Sequence, residues 1–146
     1  MLLLDVNVLI YAHREGAPEH ARYRQWLERV ANGDEPFSVT DLVFAGFLRI
    51  VTHPRVLNPP TPLEKGLAFI AELRNRPNFV SLTPGLRHWE IFVQLCRVTQ
   101  AKGNLIPDAF LAAFAIETGS LWVSTDRDYA RFPGFRWQPP FRENRS

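Results

Sequence analysis

Short apolar runs alternate along this chain with longer amphipathic stretches. Leu2, Leu3 and Leu4 form a run closed by Asp5, which predicts a buried opening strand. The apolar residues from Val6 to His13 predict a first helical turn. Pro18 suits the first turn of a second helix, in which Tyr23, Trp26, Leu27, Val30 and Ala31 share one face before Asn32-Gly33-Asp34 stops it. Phe37-Ser38-Val39 reads as a strand. Thr40 is placed to N-cap a helix from Asp41 towards Thr52, ending before Pro54. After the stiff connection Pro59-Pro60-Thr61-Pro62, a helix is expected from Leu63 to Arg74 and a strand over Phe79 to Leu82.

The spacing of Trp89, Phe92, Val93 and Cys96 then predicts a helix from Leu86 to Ala101, ended by Gly103. Another helix follows from Asn104 to Glu117. Leu121-Trp122-Val123 reads as a strand, Asp126 to Phe132 as a short helical segment, and Phe135 to Trp137 as an edge strand. Strands alternating with helices imply an α/β fold with a central, mostly parallel sheet. At 146 residues one domain is expected, spanning 1–141, with a polar, flexible tail over 142–146.

Composition narrows the class only slightly. Apolar residues make up 46% of the chain, enough to rule out a disordered segment, and the net charge of +2 permits a polyanionic partner without requiring one. A single cysteine, Cys96, excludes an internal disulfide framework and a cysteine-based zinc site; its apolar surroundings predict a buried, inert thiol. No basic leader precedes the opening leucines, and no apolar stretch reaches the roughly 18 residues that span a bilayer. A cytoplasmic protein with no membrane partner is expected.

Acids carry the candidate chemistry. In a parallel sheet, ligands sit at the carboxyl ends of the strands. Asp5 falls where the first strand should end, and Asp126 and Asp128 just after Leu121 to Val123. Asp108 lies in the first turn of the preceding helix, and Asp41 opens the helix after the second strand. Each has a structural alternative. Asp41 and Asp108 suit helix caps, and Asp126 and Asp128 suit a turn. Asp5 is harder to dismiss, because a carboxylate among leucines and valines is costly unless paired. Clustered carboxylates without adjacent Lys or Arg need protons or a cation, and an oxygen-only ligand set suits Mg²⁺ or Mn²⁺, hence phosphodiester hydrolysis. Asn7, Ser124 and Thr125 are polar neighbours able to hydrogen-bond ligands or substrate. His13, His20, His53 and His88 lack metal-ligand spacing and read as surface or structural residues. Arg14, Lys102, Arg127 and Arg131 flank the expected rim; each is either a phosphate contact or part of a solvated basic surface.

Four segments, in order, resemble one family. Leu3-Leu4-Asp5-Val6-Asn7-Val8-Leu9-Ile10-Tyr11-Ala12 resembles the first strand and turn of PIN-domain ribonucleases. Phe47-Leu48-Arg49-Ile50-Val51-Thr52-His53-Pro54-Arg55-Val56 is similar to the second-helix region of VapC-like toxins. Ile106-Pro107-Asp108-Ala109-Phe110-Leu111-Ala112-Ala113 resembles the family's D-x-x-x-A-A helix. Ser124-Thr125-Asp126-Arg127-Asp128-Tyr129-Ala130-Arg131-Phe132 resembles its T-x-D-x-D-F region. The resemblance implies a three-layer α/β/α domain that cleaves single-stranded or loop RNA with Mg²⁺ or Mn²⁺. It assigns Asp5, Asp108 and Asp126 as metal ligands, with Asn7, Thr125 and Asp128 in support. It also implies a cognate antitoxin that blocks the acidic groove with a basic residue, and a homodimer. Trp26, Phe47, Phe69 and Trp89, more aromatics than a small core needs, agree with a dimer. Many members carry Glu three residues before the arginine corresponding to Arg49, where this chain has Gly46; Asp41 is expected to substitute as a fourth catalytic acid. Hydrolysis by an activated water would leave a 5′-phosphate and a 3′-hydroxyl.

Two rivals remain. A haloacid-dehalogenase-like phosphatase also opens on strand–Asp, but needs an acid where Asn7 stands and a lysine before the distal acids, where only Lys102 is near. A non-catalytic PIN-like module that binds RNA or protein is made thinkable by Gly46, and retention of Asp5, Asp108 and Asp126 argues against it.

Overall fold

The computed structural model describes residues 1–142. Its elements are β1 (Leu2–Leu4), α1 (Val6–His13), α2 (His20–Asn32), β2 (Phe37–Ser38), α3 (Asp41–Val51), α4 (Leu63–Arg74), α5 (His88–Thr99), α6 (Leu105–Thr118), β3 (Leu121–Val123) and β4 (Trp137–Gln138). A five-residue 3-10 turn, Arg127–Arg131, lies between the last two strands. The strands form one sheet in the order β2-β1-β3-β4, and every pairing is parallel. β1 and β3 are central and aligned, Leu2 opposite Leu121 and Leu4 opposite Val123. Asp5 extends the ladder by donating its backbone N–H to the Val123 carbonyl at 2.9 Å.

This order gives the fold its functional edge. The chain leaves β1 for β2 on one side and reaches β3 on the other, so the β1–β3 pair is a switch point where a crevice opens beyond the strand ends. α1 packs on α2 and α3, and α3 on α4, while α5 and α6 pair with each other and α6 leans on β3. The result is the expected three-layer α/β/α arrangement. Leu3, Leu4, Phe37, Trp122 and Val123 are buried in the sheet, against Val8, Leu9, Phe47, Val51 and the run Ala109–Ala115 from the helices.

Local chemistry sets several boundaries. Thr40 caps α3 as expected, its hydroxyl accepting the Val43 N–H at 3.3 Å. α2 begins at His20 rather than around Pro18, after Glu19 takes a left-handed conformation at φ 56°. α5 ends at Thr99, with Gln100 adopting the left-handed cap (φ 51°) expected of Gly103. The strand expected over 79–82 shrinks to one bridge between Phe79 and Phe37, because β2 is only two residues long and has no further partner to offer. β4 lies at Trp137–Gln138, two residues later than expected at its start.

The aromatics divide differently from the sequence reading. Phe47 is fully buried and stacks on Phe69 at 5.0 Å, so it belongs to the core. Trp89 is 67% exposed, although its spacing puts it on one face of α5 with the half-buried Phe92. Cys96 is half-buried rather than fully enclosed. His88 is buried and structural, its Nε2 2.9 Å from the Phe110 carbonyl. No helix among the described residues is long and apolar enough to cross a membrane. Of the expected tail, residues 143–146 lie outside the described residues.

Candidate active site

The crevice beyond β1 and β3 is a cavity of about 490 Å³ lined by Asp5, Asn7, Asp108, Asp126, Tyr129 and, from α3, Gly46 and Arg49, among others. Asp5 comes to it as the last residue before α1, where its carboxylate caps the helix: Oδ1 accepts the Val6 N–H at 2.7 Å. Its Oδ2 accepts the Ser124 hydroxyl at 2.6 Å, and the Ser124 oxygen in turn accepts the Asp126 N–H at 3.0 Å. A single buried hydroxyl thus joins the ends of the two central strands. Asp126 caps the 3-10 turn through Oδ1, which accepts the Asp128 N–H at 2.9 Å. Asp108 stands in the first turn of α6, where the helix dipole favours a negative charge, and its Oδ1 accepts the Tyr129 hydroxyl at 3.2 Å.

The electrostatics show an excess of negative charge. Burial pushes the Asp5 carboxyl above its ordinary range, opposed by its bonds to Ser124 and Val6 and reinforced by Asp126. Asp108 is pushed up to about 6, first by desolvation and then by repulsion from Asp126, Asp5 and Asp128, against the lowering effect of Tyr129. Burial, and then the charges of Asp5, Asp108 and Asp126, raise the Tyr129 phenol, so it keeps its proton and donates. Arg49 is the cation lining the cavity among the described residues.

Three of the four acids expected to be catalytic therefore meet in one cavity, and Asn7 lines it with them. Asp41 does not join them. Its side chain is 84% exposed and pairs with Arg74 at 3.2 Å. The cause is helical phase: five residues at 3.6 per turn place Asp41 roughly 140° around α3 from Gly46, away from the cavity. The expected substitution for the missing Glu is corrected accordingly. Asp128 is exposed and contributes its backbone to Asp126, while Thr125 is half-buried beside it. Arg14, Lys102, Arg127 and Arg131 are exposed, and none lines the cavity.

Sequence reasoning placed Ser124 near the site without its bond to Asp5. It gave no role to Arg49 or Tyr129. Arg49 had a signal in its position three residues after Gly46, one turn along the same face. Tyr129 had only its place three residues after Asp126.

An oxygen-only set of mutually repelling carboxylates fits a hard divalent cation. Among the described residues no three acidic, His or Cys side chains close on one point as a finished coordination shell. The unrelieved repulsion at Asp108 is what a cation would relieve.

Comparison with known proteins places this arrangement. The PIN domain family matches residues 2–134. VapC ribonuclease Mb2897 of Mycobacterium bovis is 49% identical over 140 residues, covering 96% of this chain and 95% of the relative. Ribonuclease VapC25 of Mycobacterium tuberculosis is 43% identical over 141 residues, covering 96% and 99%. Among solved structures, VapBC2 from Rickettsia felis, bound to a DNA fragment from its promoter, superposes with a TM-score of 0.69 at 17% identity, over 94% of this chain and 97% of that one; at that identity it speaks to the fold. With the family spanning nearly the whole described chain and relatives approaching half identity along their full length, this chain belongs to the PIN-domain family, beside the proteins named VapC ribonucleases.

Proposed function

We propose that this chain is a Mg²⁺- or Mn²⁺-dependent endoribonuclease, the toxin of a toxin–antitoxin pair, held inactive by a cognate antitoxin. The observation that carries the reading is the convergence of Asp5, Asp108 and Asp126 in one cavity at the β1–β3 switch point. The ribonuclease names of relatives 43–49% identical over almost the entire chain support the reaction class, and the VapBC complex with the same fold supports the partner.

Asp5, Asp108 and Asp126 would hold the ion, which when bound supplies positive charge at the scissile phosphate and makes water a nucleophile at neutral pH. Asp5 is fixed for this by the Val6 N–H and the Ser124 hydroxyl, so its carboxylate needs no reorganisation. Asn7 offers a neutral hydrogen-bonding group at the same wall. Arg49 faces the acids from α3 and would take a non-bridging phosphate oxygen, orienting the backbone for in-line attack. In-line attack by water leaves a 5′-phosphate and a 3′-hydroxyl. A basic side chain of the antitoxin inserted among the three acids would block the cavity by supplying the charge they lack. The homodimer and the single domain over 1–141 are part of the same reading.

Antitoxin-free protein incubated with total cellular RNA in Mg²⁺ or Mn²⁺ is expected to give discrete fragments, lost on adding EDTA. Intact RNA with folded protein and either ion would overturn the nuclease reading in favour of a binding module. Asp41→Ala is expected to cleave like the wild type, since Asp41 pairs with Arg74 outside the cavity; a collapse of cleavage in that variant would return Asp41 to the site.

A further inference from the structure

We propose that Tyr129 is a positioning residue, whose hydroxyl holds one oxygen of Asp108 and sets the spacing between Asp108 and Asp126. The inference rests on reading the cavity as an ion site. Its basis is geometric. Tyr129 is 1% exposed, with its ring against Trp122, Phe132 and Phe135 at centroid distances of 5.3, 6.1 and 5.9 Å. A phenylalanine would fill that space equally well, and the segment resembles a pattern that ends on Phe at this position. The hydroxyl therefore adds nothing to packing and requires a partner, because an unpaired buried hydroxyl is costly. The partner it meets is Asp108 Oδ1, at 3.2 Å.

The two ends of that bond belong to different elements. Tyr129 lies on the 3-10 turn capped by Asp126, and its backbone N–H reaches the Asp126 carbonyl at 3.5 Å. Asp108 lies at the start of α6. The phenol thus ties the strand-end turn to the helix and fixes Asp108 in one rotamer, leaving the second carboxylate oxygen for an ion. Ser124 serves Asp5 in the same way across the central strands. Outer partners of metal ligands act by this restraint, and their loss typically weakens metal binding about 10- to 100-fold.

The test is a Mn²⁺ titration of the metal-stripped full chain by calorimetry, wild type against Tyr129→Phe, at one pH, with thermal unfolding of both in EDTA. The proposal expects Mn²⁺ binding weakened about tenfold or more, while the unfolding midpoint does not fall. Cleavage by the variant should need more Mn²⁺ for half-maximal rate and approach the wild-type rate at saturation, a split that a merely structural role would not produce. Equal Mn²⁺ affinity in the two proteins overturns the positioning role and leaves the ion site standing. A wild type that binds no Mn²⁺ overturns both.

Discussion

Asp108→Asn is expected to abolish RNA cleavage and, in the same molecule, to make the metal-free protein more stable above pH 6. The loss of activity follows from the proposed ion site: three carboxylates line the cavity, and on that reading Asp108 would be a direct ligand, whose removal should cost at least the roughly hundredfold that loss of an outer partner alone costs. The gain in stability follows from the sign of the shift. Asp108 stands at about 6 in the fold, above its ordinary value, because burial and the charges of Asp126, Asp5 and Asp128 oppose its ionisation. Between the unfolded and folded values the native state binds the extra proton. This group's contribution is therefore fully present at low pH and is lost as pH rises through about 6. Asparagine keeps the shape, can still accept from Tyr129, and carries no charge to repel. Unfolding scans in EDTA at pH 5 and pH 8 should show the wild-type midpoint falling more between the two than the variant's. Adding Mn²⁺ at pH 8 should raise the wild-type midpoint and leave the variant nearly unmoved. A variant less stable than the wild type at pH 8 in EDTA would mean that the acids are not in repulsive contact.

Much of this was legible in the chain. Three leucines ending on an aspartate announced both the central strand and its functional end, because burying an acid there is costly without a role. The strand Leu121–Val123 was equally plain, and two adjacent parallel strands carry their ends to the same edge, so Asp5 and Asp126 had to be neighbours. What stayed hidden depends on distances along the chain or on angle. The Ser124–Asp5 bond spans 119 residues, and the Tyr129–Asp108 bond spans 21. Neither has a local pattern. Asp41 failed for the opposite reason: its position near the rim was correct, but helix phase rather than proximity decides which way a side chain points. Trp89 shows the limit of periodicity as well, since its spacing with Phe92 fixes a shared side of α5 without saying that α6 covers all of it.

Gly46→Glu is expected to tighten Mn²⁺ binding by about tenfold, since the affinity of oxygen-donor sites follows the number of charged ligands. Gly46 lines the cavity on α3 with Arg49 one turn further on, facing Asp5, Asp108 and Asp126. Nothing there requires glycine. A Cβ would meet Val6 Cγ2 at 3.9 Å, an ordinary contact, and the position is inside a helix. Replacing glycine in a helix interior contributes up to about 1 kcal/mol of stability. Against it stands a fourth carboxylate in a cavity whose acids already repel each other, so the metal-free variant should gain less than that propensity alone, and most at low pH. Arg49, three residues along, would hold the new carboxylate near the wall in the absence of an ion. The two measurements separate the contributions: calorimetric titration with Mn²⁺ reads the added ligand, and unfolding in EDTA at pH 5 and pH 8 reads the added repulsion. Unchanged affinity together with a higher midpoint at both pH values would show that the Glu reaches solvent rather than the acids, and that the ion is held from the β1, β3 and α6 side alone.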